Sequence, residues 1–200
     1  MKPSLYIFAG PNGSGKTTLY KKELSNGSLK GLEYINPDEY TKKYDSELQG
    51  GKHAIRRRNE LLKTGTSFIT ETTLSGASAL KLMKKAKESG YKVRLFYIGT
   101  NDPELNVLSV KHRVATGGHN VPTDAIIRRH SRSLKNLPSA IKLANVTHVY
   151  HRGQSSTVRR VFSAINGLIR PRKGVNPPKW VPEKLKNRIT ERTRDTGRSR

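Results

Sequence analysis

The 200-residue chain contains no cysteine. Disulfide frameworks and Cys-ligated zinc are therefore excluded, and nothing points to an oxidising compartment. Aromatic residues make up only 6% of the chain, too few for an interleaved platform on which bases would stack. No apolar run approaches the roughly 20 residues needed to cross a bilayer. Carboxylates are scarce as well: 15 Asp and Glu stand against 39 Lys and Arg, a net charge of +24. Such a field attracts polyanions, whether nucleic acid, an acidic partner protein or a highly phosphorylated substrate pair. Residues 170–200 hold 11 basic and 3 acidic side chains, only +8 of the total, so the excess is spread along the chain. The length suits one domain with a real core. The first strand follows Met1-Lys2-Pro3 directly, so the expectation is a cytoplasmic protein without a signal peptide.

What is present organises itself around Gly10-Pro11-Asn12-Gly13-Ser14-Gly15-Lys16-Thr17-Thr18, directly after the apolar run Leu5-Tyr6-Ile7-Phe8-Ala9. The spacing is Gly-x4-Gly-Lys-Thr, between a strand-like and a helix-like segment, which is the context a phosphate-binding loop requires. Glycine lets the backbone curl around an anion with its N–H groups inward. Lys16 is placed to reach β- and γ-phosphate oxygens, and the Thr17 hydroxyl suits Mg²⁺. The helix that starts here adds its positive dipole end. These residues predict nucleoside triphosphate binding.

Strand and helix signals alternate through the rest. Lys16–Leu24 reads as helix, Leu32–Ile35 as a short strand, and Asn36-Pro37-Asp38-Glu39 as a helix start with Asp38 as cap. A loose helical pattern from Ser46 to Lys63 is followed by strand Ser67–Thr72, which finishes in Glu71-Thr72-Thr73. Helix from Ala77, strand Tyr91–Gly99 and a helix opened by Asp102-Pro103 come next. That helix carries Leu105, Leu108 and Val114 and stops at Gly117-Gly118. A basic helix with Arg128, Arg129 and Arg132, a strand Val146–His151 and an ambiguous stretch Val158–Ile169 complete the domain, expected over residues 1–169. From Arg170 prolines break up a basic tail, 170–200, with Trp180 and a short helix from Glu183 to Ile189 able to dock and the end expected to be disordered. The alternation predicts an α/β fold, a parallel sheet flanked by helices with right-handed crossovers. Ligands in such sheets sit at the strands' carboxyl ends, so Gly10, Asp38 and Glu71 are expected on one rim.

AGPNGSGKTT (9–18), YINPDEY (34–40), ITETTLSG (69–76), RVATGGHNVP (113–122) and IIRRHSRSLKNL (126–137) together resemble the zeta-toxin-like P-loop kinases. The resemblance implies a P-loop kinase-like domain with a helical lid at about 113–132. It also implies phosphoryl transfer from ATP or GTP, with Mg²⁺, to a small nucleotide-linked acceptor of the UDP-N-acetylglucosamine kind, and the toxin role in a toxin–antitoxin pair. On this resemblance Lys16 and Thr17 match the phosphate and Mg²⁺ positions, and Asp38 the catalytic aspartate. Glu71, with Thr72 and Thr73, matches the acidic residue on the substrate side. Arg113 and one of the neighbours Arg128 and Arg129 match the lid arginines.

Elementary chemistry agrees, because phosphoryl transfer requires Mg²⁺, a carboxylate for the acceptor hydroxyl and several arginines. Asp38, Lys16, Arg113 and Arg129 are thus the candidate catalytic residues, with Glu71, Thr72, Thr73, Arg128 and His119 on the substrate side. Simpler roles compete: Asp38 as a helix cap, Glu71 as a strand-end carboxylate, Arg132 on a solvated face. His119 has no second histidine at metal spacing, which favours a lid or turn contact. A polynucleotide or RNA kinase is the alternative that the charge favours, and an acidic antitoxin is a natural partner for so basic a surface.

Overall fold

In the computed structural model, residues 2–27, 29–44, 46–154 and 157–197 are described; of these, the side chains of residues 38, 42, 43, 47 and 191–197 lie outside the description. Among the described residues seven strands form one sheet: β1 (Ser4–Ala9), β2 (Glu33–Ile35), β3 (Phe68–Thr72), β4 (Lys92–Gly99), β5 (Val146–Arg152), β6 (Val158–Ile165) and β7 (Leu168–Pro171), in the order β2-β3-β1-β4-β5-β6-β7. β1 to β5 are parallel, and β6 and β7 add an antiparallel hairpin at one edge. The helices are α1 (Lys16–Ser25), α2 (Pro37–Tyr44), α3 (Glu47–Thr64), α4 (Ala77–Glu88), α5 (Pro103–Ala115), α6 (Thr123–Leu143) and α7 (Glu183–Gly197).

Local chemistry sets most of these boundaries. The Ser46 hydroxyl caps α3 by accepting from Gln49 N at 3.3 Å, and Gly65 ends that helix at φ 66°. Asp102 caps α5, accepting from Glu104 N at 2.8 Å, with Pro103 in the first turn. Asp38 is not the cap of α2. The helix starts at Pro37, and the Asn36 carbonyl accepts from Glu39 N (3.1 Å) and Tyr40 N (3.4 Å). The reason is the proline: its fixed φ suits the first helical position, which moves the cap back to Asn36. The stretch 158–169 is a hairpin whose two-residue turn, Asn166 (φ 47°) and Gly167 (φ 77°), is the left-handed pair that matches strand twist.

Alternation along the strands divides the interior in two. Leu5, Ile7, Phe68, Leu95, Tyr97 and Val149 face the larger core, filled by α3, α4, α6 and α7. Phe8, Ile69, Phe96 and Ile98 face α1, whose Leu19 packs on them. The boundary expected at residue 170 falls inside β7, and the chain beyond it rejoins the larger core through Trp180, Val181, Leu185 and Ile189. A Cβ on Gly99 would lie 2.6 Å from the Trp180 ring, so glycine there makes room for the indole. Trp180 Nε1 donates to His151 Nδ1 at 3.0 Å, which holds the tail to β5. α7 runs to Gly197, beyond the short helix to Ile189 that the sequence suggests, and the tail's end, expected to be disordered, lies in part, at residues 198–200, outside the described residues.

Candidate active site

The phosphate loop leaves β1 at the carboxyl rim. Gly10 (φ 145°), Gly13 (φ 71°) and Gly15 (φ 97°) take conformations that favour glycine. Space is as restrictive as dihedral: a Cβ on Gly10 would stand 2.3 Å from Ile98 O, and one on Gly13 2.4 Å from Asn106 O. Asn106, buried in α5, donates from Nδ2 to Asn12 O at 2.6 Å and accepts from the Thr100 hydroxyl. Buried His130 of α6 meets Thr100 O at 3.1 Å. Burial lowers the His130 pKa below the ordinary imidazole value, against the bond to Thr100 and the field of Asp102. The loop therefore rests on a buried polar chain running from α6 through β4 and α5.

Around the loop lies a cleft of about 620 Å³. Its floor is Asn12 to Thr18, one wall is Glu71, and the other is α5 with Arg152. Among the described side chains Lys16, His112, Arg113 and Arg152 outnumber the one carboxylate of the lining, Glu71, so the cleft suits a polyanion. Lys16 Nζ donates to Pro11 O at 3.0 Å. Glu71 is only 6% exposed, and its Oε1 accepts from Tyr34 OH at 2.5 Å. Tyr34 stacks on Tyr20 with ring centroids 4.1 Å apart and planes within 4°. Burial first, then Glu71, pushes the Tyr34 phenol well above its ordinary pKa, so it remains a proton donor, and a bond to Thr17 opposes this.

The structure thus brings the loop residues Asn12, Gly13, Gly15, Lys16, Thr17 and Thr18, with Glu71 and Arg113, into one cleft. Gly10, Pro11 and Ser14 shape its base; Ser14 Oγ is buried with no hydrogen-bond partner among the described residues. Asp38 lies in the first turn of α2, directly beyond β2, but its side chain is outside the described residues. Thr72 and Thr73 serve the turn after β3: Thr72 Oγ1 accepts from Leu74 N at 3.0 Å, and Thr73 Oγ1 pairs with Ser75 Oγ at 2.8 Å. Between them they hold buried Leu74 at φ 56°, a strained value for a branched residue, and Asn136 Nδ2 clamps its carbonyl at 2.9 Å.

The adjacent arginines separate. Arg129 Nη1 reaches Asn12 Oδ1 at 3.4 Å, whereas Arg128 pairs with Asp124 at 3.1 Å on the exposed face of α6 and does not line the cleft. Arg113 Nη2 donates to His119 O at 2.6 Å, fixing the turn between α5 and α6. Val107, Val110, Val121, Ala125 and Ile126 give this helical pair a small core of its own.

Two features escape the sequence reading. Arg152, at the carboxyl end of β5, donates from Nη1 to Gly13 O at 2.5 Å and to Ser109 Oγ at 2.8 Å, and burial lowers its pKa. The rim rule applied to β5 would have found it. Leu108 and Val114 are not core positions of α5. They are 61% and 38% exposed, and the inward face is Asn106, Val107 and Val110. The helix stands at the mouth of the cleft, and Leu105 and Leu108 form its apolar wall.

A parallel sheet, a glycine-cradled loop opening a helix, and cations around it define the fold of a P-loop kinase. A family model described as Zeta toxin matches residues 54–160, and the chain belongs to that family. The match begins after the phosphate loop, so the loop is independent support. A protein of Haemophilus influenzae described as uncharacterized is 32% identical over 136 residues, 65% of this chain and 94% of that protein. Among solved structures, AvrRxo1-ORF1:-ORF2 with ATP superposes with a TM-score of 0.69 at 18% identity over 94% of this chain. This chain spans 64% of that AvrRxo1 chain's length. The PezAT chromosomal toxin–antitoxin system of Streptococcus pneumoniae gives a TM-score of 0.59 at 17% identity, covering 97% of this chain and 85% of that one. At such identities the likeness is one of fold. Among the described residues no helix is long and apolar enough to cross a membrane.

Proposed function

We propose that the protein transfers the γ-phosphoryl group of ATP, or of GTP, to a hydroxyl of a small nucleotide-linked acceptor of the UDP-N-acetylglucosamine kind. The observation that carries this reading is the meeting of a preformed phosphate cradle with the buried, tyrosine-held carboxylate of Glu71 in one cleft. A protein that only bound nucleotide would have no need of an acceptor-side carboxylate. The cradle suits a triphosphate, since its glycine conformations and the unpartnered Ser14 hydroxyl are features that an anion explains.

In this reading Lys16 holds the transferred phosphoryl group, and Arg113 and Arg129 stabilise the charge that develops on it. Asp38 takes the proton of the acceptor hydroxyl as its oxygen bonds to phosphorus and the bond to the β-phosphate oxygen breaks. Glu71 orients the acceptor, and Thr72 and Thr73 keep the loop beside it in place. The Thr17 hydroxyl would hold Mg²⁺, which supplies charge neutralisation between β- and γ-phosphates. Residues 113–132 form the lid, and its closure on Gly117-Gly118 would exclude water that otherwise hydrolyses the nucleotide. A cytoplasmic toxin restrained by an acidic antitoxin is the biological role that family membership and the +24 charge support.

Mass spectrometry of purified UDP-N-acetylglucosamine, and of a metabolite extract, incubated with enzyme and γ-labelled ATP tests the reaction. A phosphorylated nucleotide sugar, absent with Lys16→Ala, is the expected result. Free phosphate alone would refute the kinase reading, and label on RNA 5′ ends would replace it with the polynucleotide kinase that the charge also favours.

A further inference from the structure

The sheet is covered unequally. On one face α3, α4, α6 and α7 fill the larger core. On the other, α1 packs over the β2-β3-β1 side and reaches Phe96 and Ile98 of β4 and Tyr150 of β5. Arg152 of β5 meets Ser109 of α5 at 2.8 Å, but no side chain on this face of β6 and β7 joins a helix-packed core among the described residues. Antiparallel edge strands can leave one face to water, and such a face then reads polar. This one is mixed: Ile165 and Leu168 are exposed beside the exposed Arg160 and Arg170.

Register and alternation define what it displays. One row across the sheet is Arg94, Val146, Ile165 and Leu168, the last two 38% and 54% exposed. The next is Phe96, His148, Ser163 and Arg170, joined by a 2.9 Å contact between His148 Nδ1 and Ser163 Oγ. The third brings Tyr150 beside Arg160. Strands β4 to β7 contain no Asp or Glu. Glu23 of α1 is the carboxylate whose field reaches Tyr150. Arg94 lies over the Tyr6 ring at 5.7 Å, and its Nε is buried without a hydrogen-bond partner among the described residues. Aliphatic Val146, Ile165 and Leu168 line one end of this surface; Arg170 lies beyond them in the row of the polar pair His148 and Ser163, and Arg160 beyond that row.

We infer that this face is the docking surface for an acidic amphipathic helix of a partner protein, which would supply the helix layer missing over β6 and β7. The complementarity is both chemical and dimensional. Four strands at about 4.8 Å spacing present a width that a helix of about 12 residues covers at 1.5 Å per residue. Its apolar stripe would meet Val146, Tyr150, Ile165 and Leu168, and carboxylates along its flanks would meet Arg94, Arg160 and Arg170. Free aliphatic edges favour a protein over nucleic acid, because the aromatic rings on this face are half-buried or packed and offer little stacking surface. Arg152 and Val158 in the next row line the cleft, but none of the residues placed against the helix does, so the inference holds or fails independently of the kinase reading.

The test uses ¹⁵N-labelled full-length protein and a synthetic helical peptide of about 18 residues, with leucine at i, i+3, i+4 and i+7 and glutamate elsewhere. The control is a scrambled peptide of equal composition, which keeps the charge and loses the stripe. The patterned peptide is expected to bind at least ~10-fold more tightly than the scrambled one. Amide signals of Val146, His148, Tyr150, Ser163 and Ile165 should shift, and those of the phosphate loop should not. The double variants Arg160→Glu/Arg170→Glu and Ile165→Ser/Leu168→Ser, both at exposed or edge positions, should each weaken binding by at least ~10-fold with unchanged thermal midpoint. Equal binding of both peptides, or signal shifts elsewhere, would overturn the inference. So would an oligouridylate that moves the same signals and displaces the peptide, or a dimer in sedimentation that Leu168→Ser abolishes.

Discussion

Tyr34→Phe removes one oxygen and leaves the ring. In the folded protein that oxygen donates to Glu71 at 2.5 Å, and the ring stacks on Tyr20 at 4.1 Å. Glu71 is buried, so water has poor access to replace the lost donor. A hydrogen bond to a charged acceptor contributes about 1.5–3 kcal/mol, and most of it should be lost here. For a chain of this size, each kcal/mol moves the melting midpoint by roughly 2–4 °C, so a fall of about 4–8 °C is expected. If Glu71 orients the acceptor, a loss of ~2 kcal/mol expressed in the transition state lowers kcat by about 30-fold, with a much smaller change in the nucleotide KM. Differential scanning fluorimetry and steady-state turnover measure both. Tyr20→Phe keeps the stack and the Tyr34–Glu71 bond, so it should change neither quantity by much. A Tyr34→Phe protein with a midpoint within about 1 °C of the parent and unchanged kcat would refute the assignment of Glu71 as a carboxylate positioned by Tyr34.

Further outcomes follow from the same geometry. Arg129→Ala should lower kcat at least ~10-fold with little change in nucleotide affinity, while Arg128→Ala, which removes an exposed i,i+4 pair, should stay within about 0.5 kcal/mol in stability and leave turnover unchanged. Gly13→Ala combines a left-handed φ with a Cβ 2.4 Å from Asn106 O. A loss of roughly 2–4 kcal/mol and of nucleotide binding is expected by chemical denaturation and calorimetry. His130 has its folded pKa lowered, so the neutral ring's contribution is present above the ordinary value of 6.5 and is lost as pH falls through the folded value. Melting midpoints should therefore drop below pH 6.5, and His130→Gln should flatten part of that slope. Tyr150 is raised to about 12, chiefly by burial, so its contribution is present below pH 10 and is lost as pH rises from 10 through about 12. Tyr150→Phe should blunt the alkaline decline.

Much of the fold was legible because burial on both sides makes parallel strands read as apolar runs, each ended by a polar turn. The phosphate loop was legible because its chemistry is local. Where sequence reading stopped, the missing information was three-dimensional. Arg128 and Arg129 differ by about 100° around a helix axis, and only the seat of α6 against Asn12 separates them. Leu108 carries a core signal, yet α5 turns it into the cleft because Asn106 and Val110 already occupy the inward face. Trp180 docks through contacts with Gly99 and His151, far away in sequence, which no local pattern encodes. The hairpin at 158–171 is different: Asn166-Gly167 is a strong turn signal, masked by the basic pair Arg159 and Arg160 just before it.

Preorganisation links the buried network to the cleft. In this structure Lys16 Nζ bonds the Pro11 carbonyl at 3.0 Å, and Arg152 bonds the Gly13 carbonyl. The two cations thus grip carbonyl oxygens of the loop. A phosphate oxygen that takes the carbonyl's place on Lys16 replaces an ion–dipole bond with an ion pair. Arg152 is tied to both the loop and Ser109 of α5, so it keeps loop and wall at a fixed separation. Arg152→Met should therefore weaken nucleotide binding while leaving the acceptor-side residues Glu71 and Tyr34 in place. Calorimetric titration with a non-hydrolysable ATP analogue is expected to show at least ~10-fold weaker binding, and affinity equal to the parent's would mean that the loop holds its shape through Asn106 and His130 alone.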